Sequence, residues 1–448
     1  LLISCDKQSS PFHNASDDFM LFLGQGGNAR DFVILKNIDA ESFFYNDLFN
    51  YNAYNYIMTP CSQESQQDCN NRFWCEWTAN QCNSNIKDLL LVANEFDGLL
   101  IYEIINNNDD INLSLIYSNN DIEFSENELE NILDLELRAI HYSEQSQSLI
   151  LLDKFEYLYN AFLPGLLIDD NVNVNCSGSN FDHINDLVCS ATDSYHSTQF
   201  TINENGEQLG YFGLGPGIAS TEIFMLNKHN LSTNSTLPEP YSEVKLINYQ
   251  VFHPNWACGV NGDVLTTCSS NAHIDNLSYN VTDIHFNDDF LLVANPTDNY
   301  YSLNVYSYEP SSQLLTYVDE MITTEKVYSL NKITNNQSEN YIYWGVKDGG
   351  CYITLLPPGG IFDSNNTIFH VGESFTVYDI EYDQNEDVLL LSCGSNGVLA
   401  YDWNDDSGSV PMFIGQFTTS YAYTAKMYGS NTLIVGTESG LELFNIGD

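Results

Sequence analysis

A serine hydrolase needs its nucleophile on a tight strand-to-helix turn, and one stretch of the sequence superficially offers this. The segment Cys393-Gly394-Ser395-Asn396-Gly397 holds a serine among glycines, but its spacing differs from the Gly-x-Ser-x-Gly pattern. It lies between two apolar runs, where a hairpin turn is expected. The glycine-rich stretches 24–27 and 213–217 lie between strands, with no following helix and no nearby lysine to bind phosphate. We interpret all three stretches as turns.

Metal-binding residues are scattered along the chain. The nine histidines form no H-x-x-x-H or H-x-H spacing. His141 and His285 occupy equivalent strand positions, from which they would line a central channel, and we interpret them as structural. Acidic runs at 106–110, 169–170, 288–289 and 404–408 lack the alternation of an EF-hand loop. The sequence therefore predicts no cofactor, although loosely bound Ca²⁺ is compatible with these runs.

Eleven cysteines indicate a disulfide-bonded protein, because no zinc-type CxxC spacing is present. Loop length predicts the bridges Cys176–Cys189 and Cys258–Cys268, and two more within the set Cys61, Cys69, Cys75 and Cys82. Cys351 and Cys393 lie on inner hairpins and are interpreted as buried thiols. The odd count leaves at least one thiol that is free or pairs with another chain. Disulfides favour an oxidising compartment.

Asn-x-Ser/Thr sequons support the same compartment, because most of them lie in polar linkers between apolar runs. N-glycosylation is predicted at Asn14, Asn112, Asn175, Asn230, Asn234, Asn276, Asn280, Asn336 and Asn365. The sequence opens on Leu1-Leu2-Ile3-Ser4, without the pattern of a signal peptide. We therefore expect the mature form of a secreted or cell-surface protein.

The charge balance excludes some classes of partner. The 448 residues include 13 Lys and Arg against 61 Asp and Glu, for a net charge of −48. Such a surface repels nucleic-acid phosphates and anionic lipids, so we expect no nucleic-acid binding. No apolar run is long enough to span a bilayer, so we expect no direct membrane insertion.

A recurring unit organises the chain. It consists of an apolar strand, a short turn containing Gly or Asn, and a second apolar strand. The clearest copies begin at Asp88, Asp387 and Asn431, with others at Asp289 and Asn340. A strand of alternating polarity often precedes this hairpin and a further strand follows it. The unit therefore predicts four antiparallel strands, spaced at about 44–51 residues in the C-terminal half, as in a propeller blade.

The repeat resembles LVIVD-type β-propeller repeats. The residues that carry the resemblance lie in Val377–Trp403 and Tyr421–Ile446, and less completely in Val281–Tyr308 and Asp88–Ile104. It implies an all-β propeller of four-stranded antiparallel blades, and such propellers are often extracellular. It implies no catalytic residue, because the pattern is a packing signature.

We predict a single domain over residues 1–448, with a disulfide-stapled, cysteine-rich insertion at 60–84. Seven blades are favoured over eight, with N-terminal strands completing the last blade. One candidate for such a strand is Leu1–Cys5. The last predicted strand, Leu441–Ile446, lies at a sheet edge, and an open edge readily accepts a strand from another chain.

Two functional classes follow from these features. The first is a secreted or cell-surface, non-catalytic binding or assembly module, such as a surface coat, adhesion or filament component. Its partner would be another protein or a second copy, bound through an exposed blade edge and loops. The alternative is an extracellular propeller enzyme of the lactonase, lyase or glycosidase type. That enzyme would need a cluster of His, Asp and Glu at one mouth of the channel.

Overall fold

The protein consists almost entirely of short antiparallel strands in the part of the chain that the structure describes. The computed structural model describes residues 19–23, 28–39, 61, 65–70, 75–107, 110–118, 137–143, 148–153, 157–162, 174–175, 187–191, 195–202, 208–214, 221–226, 246–253, 256–260, 265–269, 283–286, 290–294, 300–309, 314–334, 340–362, 367–403 and 410–446. Between residues 157 and 282 this description covers the backbone only.

The chain up to residue 269 contains one short helix and eighteen described strands. The helix is α1 (Gln66–Asn70). The strands are β1 (Phe19–Leu23), β2 (Ala29–Asp39), β3 (Cys75–Thr78), β4 (Gln81–Ser84), β5 (Ile86–Asn94), β6 (Gly98–Asn107), β7 (Asp110–Ser118), β8 (Leu137–Ser143), β9 (Ser148–Asp153), β10 (Tyr157–Phe162), β11 (Val174–Asn175), β12 (Leu187–Ala191), β13 (Tyr195–Ile202), β14 (Gln208–Leu214), β15 (Thr221–Leu226), β16 (Leu246–His253), β17 (Trp256–Val260) and β18 (Leu265–Ser269). Within the described residues, no helix is long and apolar enough to cross a membrane.

The second half repeats the four-strand unit more regularly. Its described strands are β19 (Ile284–Phe286), β20 (Phe290–Ala294), β21 (Tyr301–Glu309), β22 (Leu314–Thr323), β23 (Val327–Thr334), β24 (Asn340–Val346), β25 (Gly350–Leu356), β26 (Thr367–Val371), β27 (Asp379–Asp383), β28 (Val388–Ser392), β29 (Val398–Asp402), β30 (Met412–Phe417), β31 (Ala422–Tyr428), β32 (Thr432–Thr437) and β33 (Gly440–Asn445). The four strands of each unit pair antiparallel and form one sheet.

The sheets, each named by its first strand, succeed one another along the chain. The described sheets are β2-β5-β6-β7, β8-β9-β10-β12-β11, β13-β14, β15-β16-β17-β18, β19-β20-β21-β22, β23-β24-β25-β26, β27-β28-β29-β30 and β31-β32-β33-β1, and β3-β4 forms a separate hairpin. Within the described part of the chain, the strands β2, β8, β13, β19, β23, β27 and β31 contact one another in that order, and β31 contacts β2 again. These seven strands form a closed ring. The ring supports seven units, although the number of blades stays a prediction.

Apolar strands pack between neighbouring sheets, as their uninterrupted hydrophobic sequences predicted. Leu389, Leu391 and Trp403 of the β27 sheet share a buried cluster with Tyr343 and Ile353 of the β23 sheet. Similar clusters join the β27 sheet to the β31 sheet and the β31 sheet to the β2 sheet. Burial on both faces explains why the second strand of each unit carries almost no polar residue.

Pairing between the two ends of the described chain closes the ring. The strand β1 pairs antiparallel with β33, with Phe19 opposite Phe444 and Leu23 opposite Leu441. The pairing confirms the expectation that an N-terminal strand completes the last blade. The prediction that the edge of β33 is open is wrong, because the chain's own strand occupies it. The predicted strand Leu1–Cys5 lies outside the described residues.

The cysteine-rich insertion lies between the first two strands of the β2 sheet. Disulfides join Cys61 to Cys75 and Cys69 to Cys82, and so connect α1 and the β3-β4 hairpin into a compact unit. All four sulfur-bearing residues are buried. The two bridges replace the apolar core that so short an insertion cannot build.

Candidate interaction face

Aspartates at equivalent positions connect neighbouring sheets. The Asp31 carboxylate accepts a hydrogen bond from the Ile140 backbone N–H at 3.1 Å, and the Asp283 carboxylate accepts one from the Leu330 N–H at 2.6 Å. Asp379 accepts the corresponding bond from Ala425. In the last two pairs the acceptor is the aspartate of the V-x-D-I motif, and the donor lies on the first strand of the next sheet. The repeat aspartate is therefore a structural contact between units.

A group of charged side chains lies deeper along the same strands. Lys426 of β31 faces Glu381 and Asp379 of β27 and Asp31 of β2. These side chains are deep within the molecule but keep partial solvent access, as expected for residues that line the axis of a ring. Burial raises the pKa of Glu381 to about 7, although the charge of Lys426 opposes this shift.

Lys426 remains charged within this group. Burial alone lowers the pKa of the Lys426 ammonium, but the charges of Glu381, Asp31 and Asp379 outweigh that effect and raise it. Burial also raises the pKa of Asp31 and of Asp379. Three acidic groups therefore share one counterion, which is a structural arrangement that joins the β27, β31 and β2 sheets.

Tyrosines form a row at the end of the ring where the first strands begin. The Tyr328 ring lies 5.4 Å from Tyr378, Tyr378 lies 5.7 Å from Tyr421, and Tyr421 lies 5.1 Å from Tyr423, each measured between ring centroids. Tyr378 is 38% exposed and the other three rings are half-buried. This tyrosine row (Tyr328, Tyr378, Tyr421 and Tyr423) spans three neighbouring sheets.

The hydroxyl groups of the row are hydrogen-bond donors at neutral pH. A hydrogen bond to Tyr421, together with burial, raises the pKa of Tyr378 to about 12. Burial raises the pKa of Tyr328 and of Tyr423 as well. Each of these phenols therefore stays protonated, and each offers both a polar donor and an aromatic face.

Cations flank both ends of the tyrosine row. The Arg30 guanidinium lies 4.1 Å from the centroid of the Tyr423 ring and forms an ion pair with the buried Glu95. At the other end the Lys326 ammonium lies 5.5 Å from the Tyr328 ring. Cation–π contacts of this kind hold the rings and the cations at defined positions.

Turns between the second and third strands surround the same end of each sheet. In the β27 sheet, Cys393 N–H bonds to the carbonyl of Gly397, and Gly394 forms a bridge with Ala422 of the next sheet. The glycine-flanked Ser395 therefore lies in a hairpin turn, as interpreted from the sequence. Together with the tyrosine row and its flanking cations, these turns make a continuous surface, which we call the mouth face.

Comparison with solved structures identifies the architecture. The C-terminal WD40 domain of Sif2 superposes with a TM-score of 0.50 over 80% of this chain and 93% of that domain, at 10% sequence identity. The chain is a β-propeller. This confirms the fold class predicted from the sequence, because the described sheets are also mostly antiparallel and mostly four-stranded. Sqt1 from Chaetomium thermophilum gives a TM-score of 0.46 over 80% of each chain, also at 10% identity.

Comparison of the amino-acid sequence with known families and proteins finds no match. No protein-family model matches the chain, and no curated protein matches it in sequence. The resemblance to LVIVD-type repeats stays a prediction. The structural comparison alone therefore shows the fold and leaves the function to be inferred from the site.

The other cysteines singled out in the sequence lie partly within the described strands. Cys351 and Cys393 are buried and free, which confirms the prediction of buried thiols. Burial raises the pKa of the Cys393 thiol to about 12, so it is unreactive at neutral pH. Strand register sets Cys258 directly opposite Cys268, and their bridge stays a prediction. Cys189 lies in β12, whereas Cys176 lies outside the described residues.

The predicted glycosylation sites fall mostly outside the described residues. Asn112 is exposed on β7, and Asn175 lies in β11. Asn14, Asn230, Asn234, Asn276, Asn280, Asn336 and Asn365 lie beyond the described ranges. Glycosylation at all nine sequons stays a prediction.

Two histidines and one group of cysteines among the described residues bear on metal binding. His141 lies on β8 and His285 lies on β19. Both strands belong to the ring of seven strands described above. Among the described side chains, the group of ligand atoms within 4.8 Å of one another is formed by Cys61, Cys75 and Cys82, and these sulfurs belong to the two disulfides. The acidic runs 169–170, 288–289 and 404–408 lie outside the described residues, and the run 106–110 lies partly outside them, between β6 and β7. Loosely bound Ca²⁺ stays a prediction.

Sequence reasoning missed the mouth face. Tyr328, Tyr378 and Tyr423 each precede the residue at the repeat-aspartate position, Ser329, Asp379 or Thr424. Aligning the units on that position would have revealed an aromatic residue in three successive copies. The signal is visible only once the repeat register is fixed.

Proposed function

We propose that this protein is a non-catalytic protein-binding module that uses the mouth face as its binding surface. The observation that carries the proposal is the tyrosine row, with cations at both of its ends. Tyrosine and arginine are enriched where protein interfaces concentrate their binding energy. A tyrosine buries a large area for the loss of only two rotatable bonds.

The packing of the row also supports a binding role. Each ring is held by a ring or cation neighbour within 6 Å, so the surface is organised before any partner arrives. Preorganisation reduces the entropy lost on binding. The axial charges serve a different purpose, since Asp31 and Asp379 are engaged in bonds between sheets and Lys426 balances them.

An extracellular or cell-surface location belongs to the same proposal. The disulfides Cys61–Cys75 and Cys69–Cys82 support an oxidising compartment. The exposed sequon at Asn112 is compatible with it. In that setting a rigid propeller without chemistry of its own would serve adhesion or a surface coat.

Removing the tyrosine row should abolish partner binding. We expect proteins that co-purify with the tagged native chain from its source cells to be lost when Tyr378→Ser and Tyr421→Ser are combined. The matched control is Tyr317→Ser, because Tyr317 is 37% exposed but lies on the outer strand β22. Quantitative mass spectrometry of the eluates measures the difference. Equal recovery with both variants, or no retained protein with the native chain, would refute the proposal.

A further inference from the structure

Two neighbouring lysines at the mouth face form no ion pair with a described residue. Arg30 pairs with Glu95, Lys87 pairs with Glu103, and Lys426 faces three carboxylates. Lys326 and Lys347 form no ion pair with any described residue. In a chain with 61 acidic and 13 basic side chains, two unmatched neighbouring lysines are an unusual arrangement.

The backbone holds these two lysines side by side. The Lys347 N–H donates a hydrogen bond to the Lys326 carbonyl at 3.0 Å, which joins the start of β23 to the end of β24. Burial lowers the pKa of the Lys326 ammonium, and the neighbouring charge of Lys347 lowers it further. An anionic group bound between the two ammonium groups would relieve this repulsion.

The carboxylate that follows Lys347 in sequence is held by another group. Asp348 follows Lys347, and its carboxylate accepts a hydrogen bond from the Thr376 hydroxyl at 3.0 Å. The Asp348 N–H in turn donates to the same hydroxyl at 3.0 Å. Asp348 is thus fixed toward the β27 side of the loop, and the lysine pair remains available to a ligand.

Next to the lysine pair, the tyrosine row provides an extended apolar surface. Lys326 contacts Tyr328, and the row continues from there through Tyr378 to Tyr421 and Tyr423. A free anion would occupy only the lysine end. An extended peptide, which advances about 3.3 Å per residue, would contact both the lysines and several rings.

We propose that the mouth face binds an acidic peptide segment of a partner protein, with Lys326 and Lys347 contacting its carboxylates and the tyrosine row packing against its backbone and side chains. This inference rests on the proposed function, because it names the chemistry of the partner at the same surface. A short acidic segment carries few charges, so it meets much less repulsion from this acidic chain than a second copy with the same net charge of −48 would. Salt also screens that repulsion beyond about 10 Å at 0.1 M ionic strength.

Fluorescence anisotropy with labelled hexaglutamate tests the inference on the full chain. Hexalysine and hexaglutamine with the same label are the comparison probes. We expect hexaglutamate to bind more tightly than hexaglutamine. Hexalysine is attracted non-specifically by the net charge of −48, and that binding should not weaken in the Lys326→Gln/Lys347→Gln variant. The Lys326→Gln/Lys347→Gln variant should weaken binding by about tenfold for each lysine. The exposed lysine variant Lys36→Gln is the matched control and should leave the affinity unchanged.

The remaining arms separate other sources of the same signal. Complete competition by millimolar inorganic phosphate would overturn the peptide assignment in favour of a simple anion site. Hexaglutamate binding no tighter than that of hexaglutamine, or an equal loss in the Lys36→Gln control, would also overturn it. Self-association that depends on Lys326 and Lys347 would replace the partner protein by a second copy. If hexaglutamate fails while the tyrosine variant still loses its co-purifying proteins, the acidic ligand is wrong and the binding function stands.

Discussion

Three carboxyl groups and one ammonium group meet near the axis of the propeller. Glu381 has the clearest consequence, because its pKa is about 7 in the folded protein and 4.5 is the ordinary value. The folded state therefore binds this proton more tightly than the unfolded state does. Its stabilising contribution is complete below pH 4.5 and is lost as the pH rises through about 7.

A neutral side chain at this position should remove that pH dependence. We expect the effect of Glu381→Gln on the free energy of unfolding to differ between pH 8 and pH 5. The substitution should be more stabilising at pH 8 than at pH 5, by roughly 1–2 kcal/mol. Denaturant titrations at the two pH values measure the difference. The control is Glu386→Gln, an exposed residue on the turn after β27, which should shift stability equally at both. A Glu381→Gln effect independent of pH would contradict the assignment.

At the scale of the single element, hairpin turns set the register of each sheet. Gly397 has a φ of 74°, in the left-handed region that disfavours side chains. A Cβ atom at this position would also overlap the carbonyl oxygen of Phe417 on the adjacent β30. Both features require glycine where the strands β28 and β29 reverse direction.

Substitution of this glycine should be costly. We expect Gly397→Ala to lower the free energy of unfolding by about 2–4 kcal/mol, from backbone strain together with the steric overlap. Gly359→Ala is the matched control, because nothing lies within 4 Å of a Cβ at that position. It should change stability by less than about 0.5 kcal/mol. Thermal and denaturant unfolding compare the two, and equal effects would show that the turn tolerates a side chain.

Elements with strong local signals were predictable from the sequence, and contacts between units were not. The hairpins β5-β6, β28-β29 and β32-β33 follow from apolar runs around glycine turns. The tyrosine row brings together residues from units about fifty positions apart, so no local pattern reveals it. The strand that closes the ring was expected at Leu1–Cys5, and the structure shows Phe19–Leu23 in that role, because only the pairing register distinguishes one apolar segment from another.

At the scale of the whole molecule, the ring depends on one noncontiguous pairing. The strand β1 covers β33, which otherwise would expose unpaired N–H and C=O groups. The β31 sheet also packs against the β2 sheet through Tyr428, Ile434 and Leu443. Closure thus combines a backbone pairing and an apolar contact between the two ends of the described chain.

Removal of β1 should open the ring. We expect a chain lacking residues 1–23 to unfold at a lower temperature and to associate through the edge of β33. The matched control lacks residues 1–17 and retains β1. Light scattering after size-exclusion chromatography, together with the midpoint of thermal unfolding, measures both effects. A monomer with an unchanged midpoint would show that β1 contributes little to closure.

The pairing of Phe19 with Phe444 also constrains biosynthesis. The ribosome makes β1 first and its partner strand some four hundred residues later, at about 5–20 residues per second. During that interval β1 must remain unpaired or be shielded by a chaperone. A product that stops before Gly440 can form most sheets but lacks the strand that β1 requires. Closure of the propeller therefore reports that synthesis has passed β33, and an unclosed ring is a feature that cellular quality control can recognise.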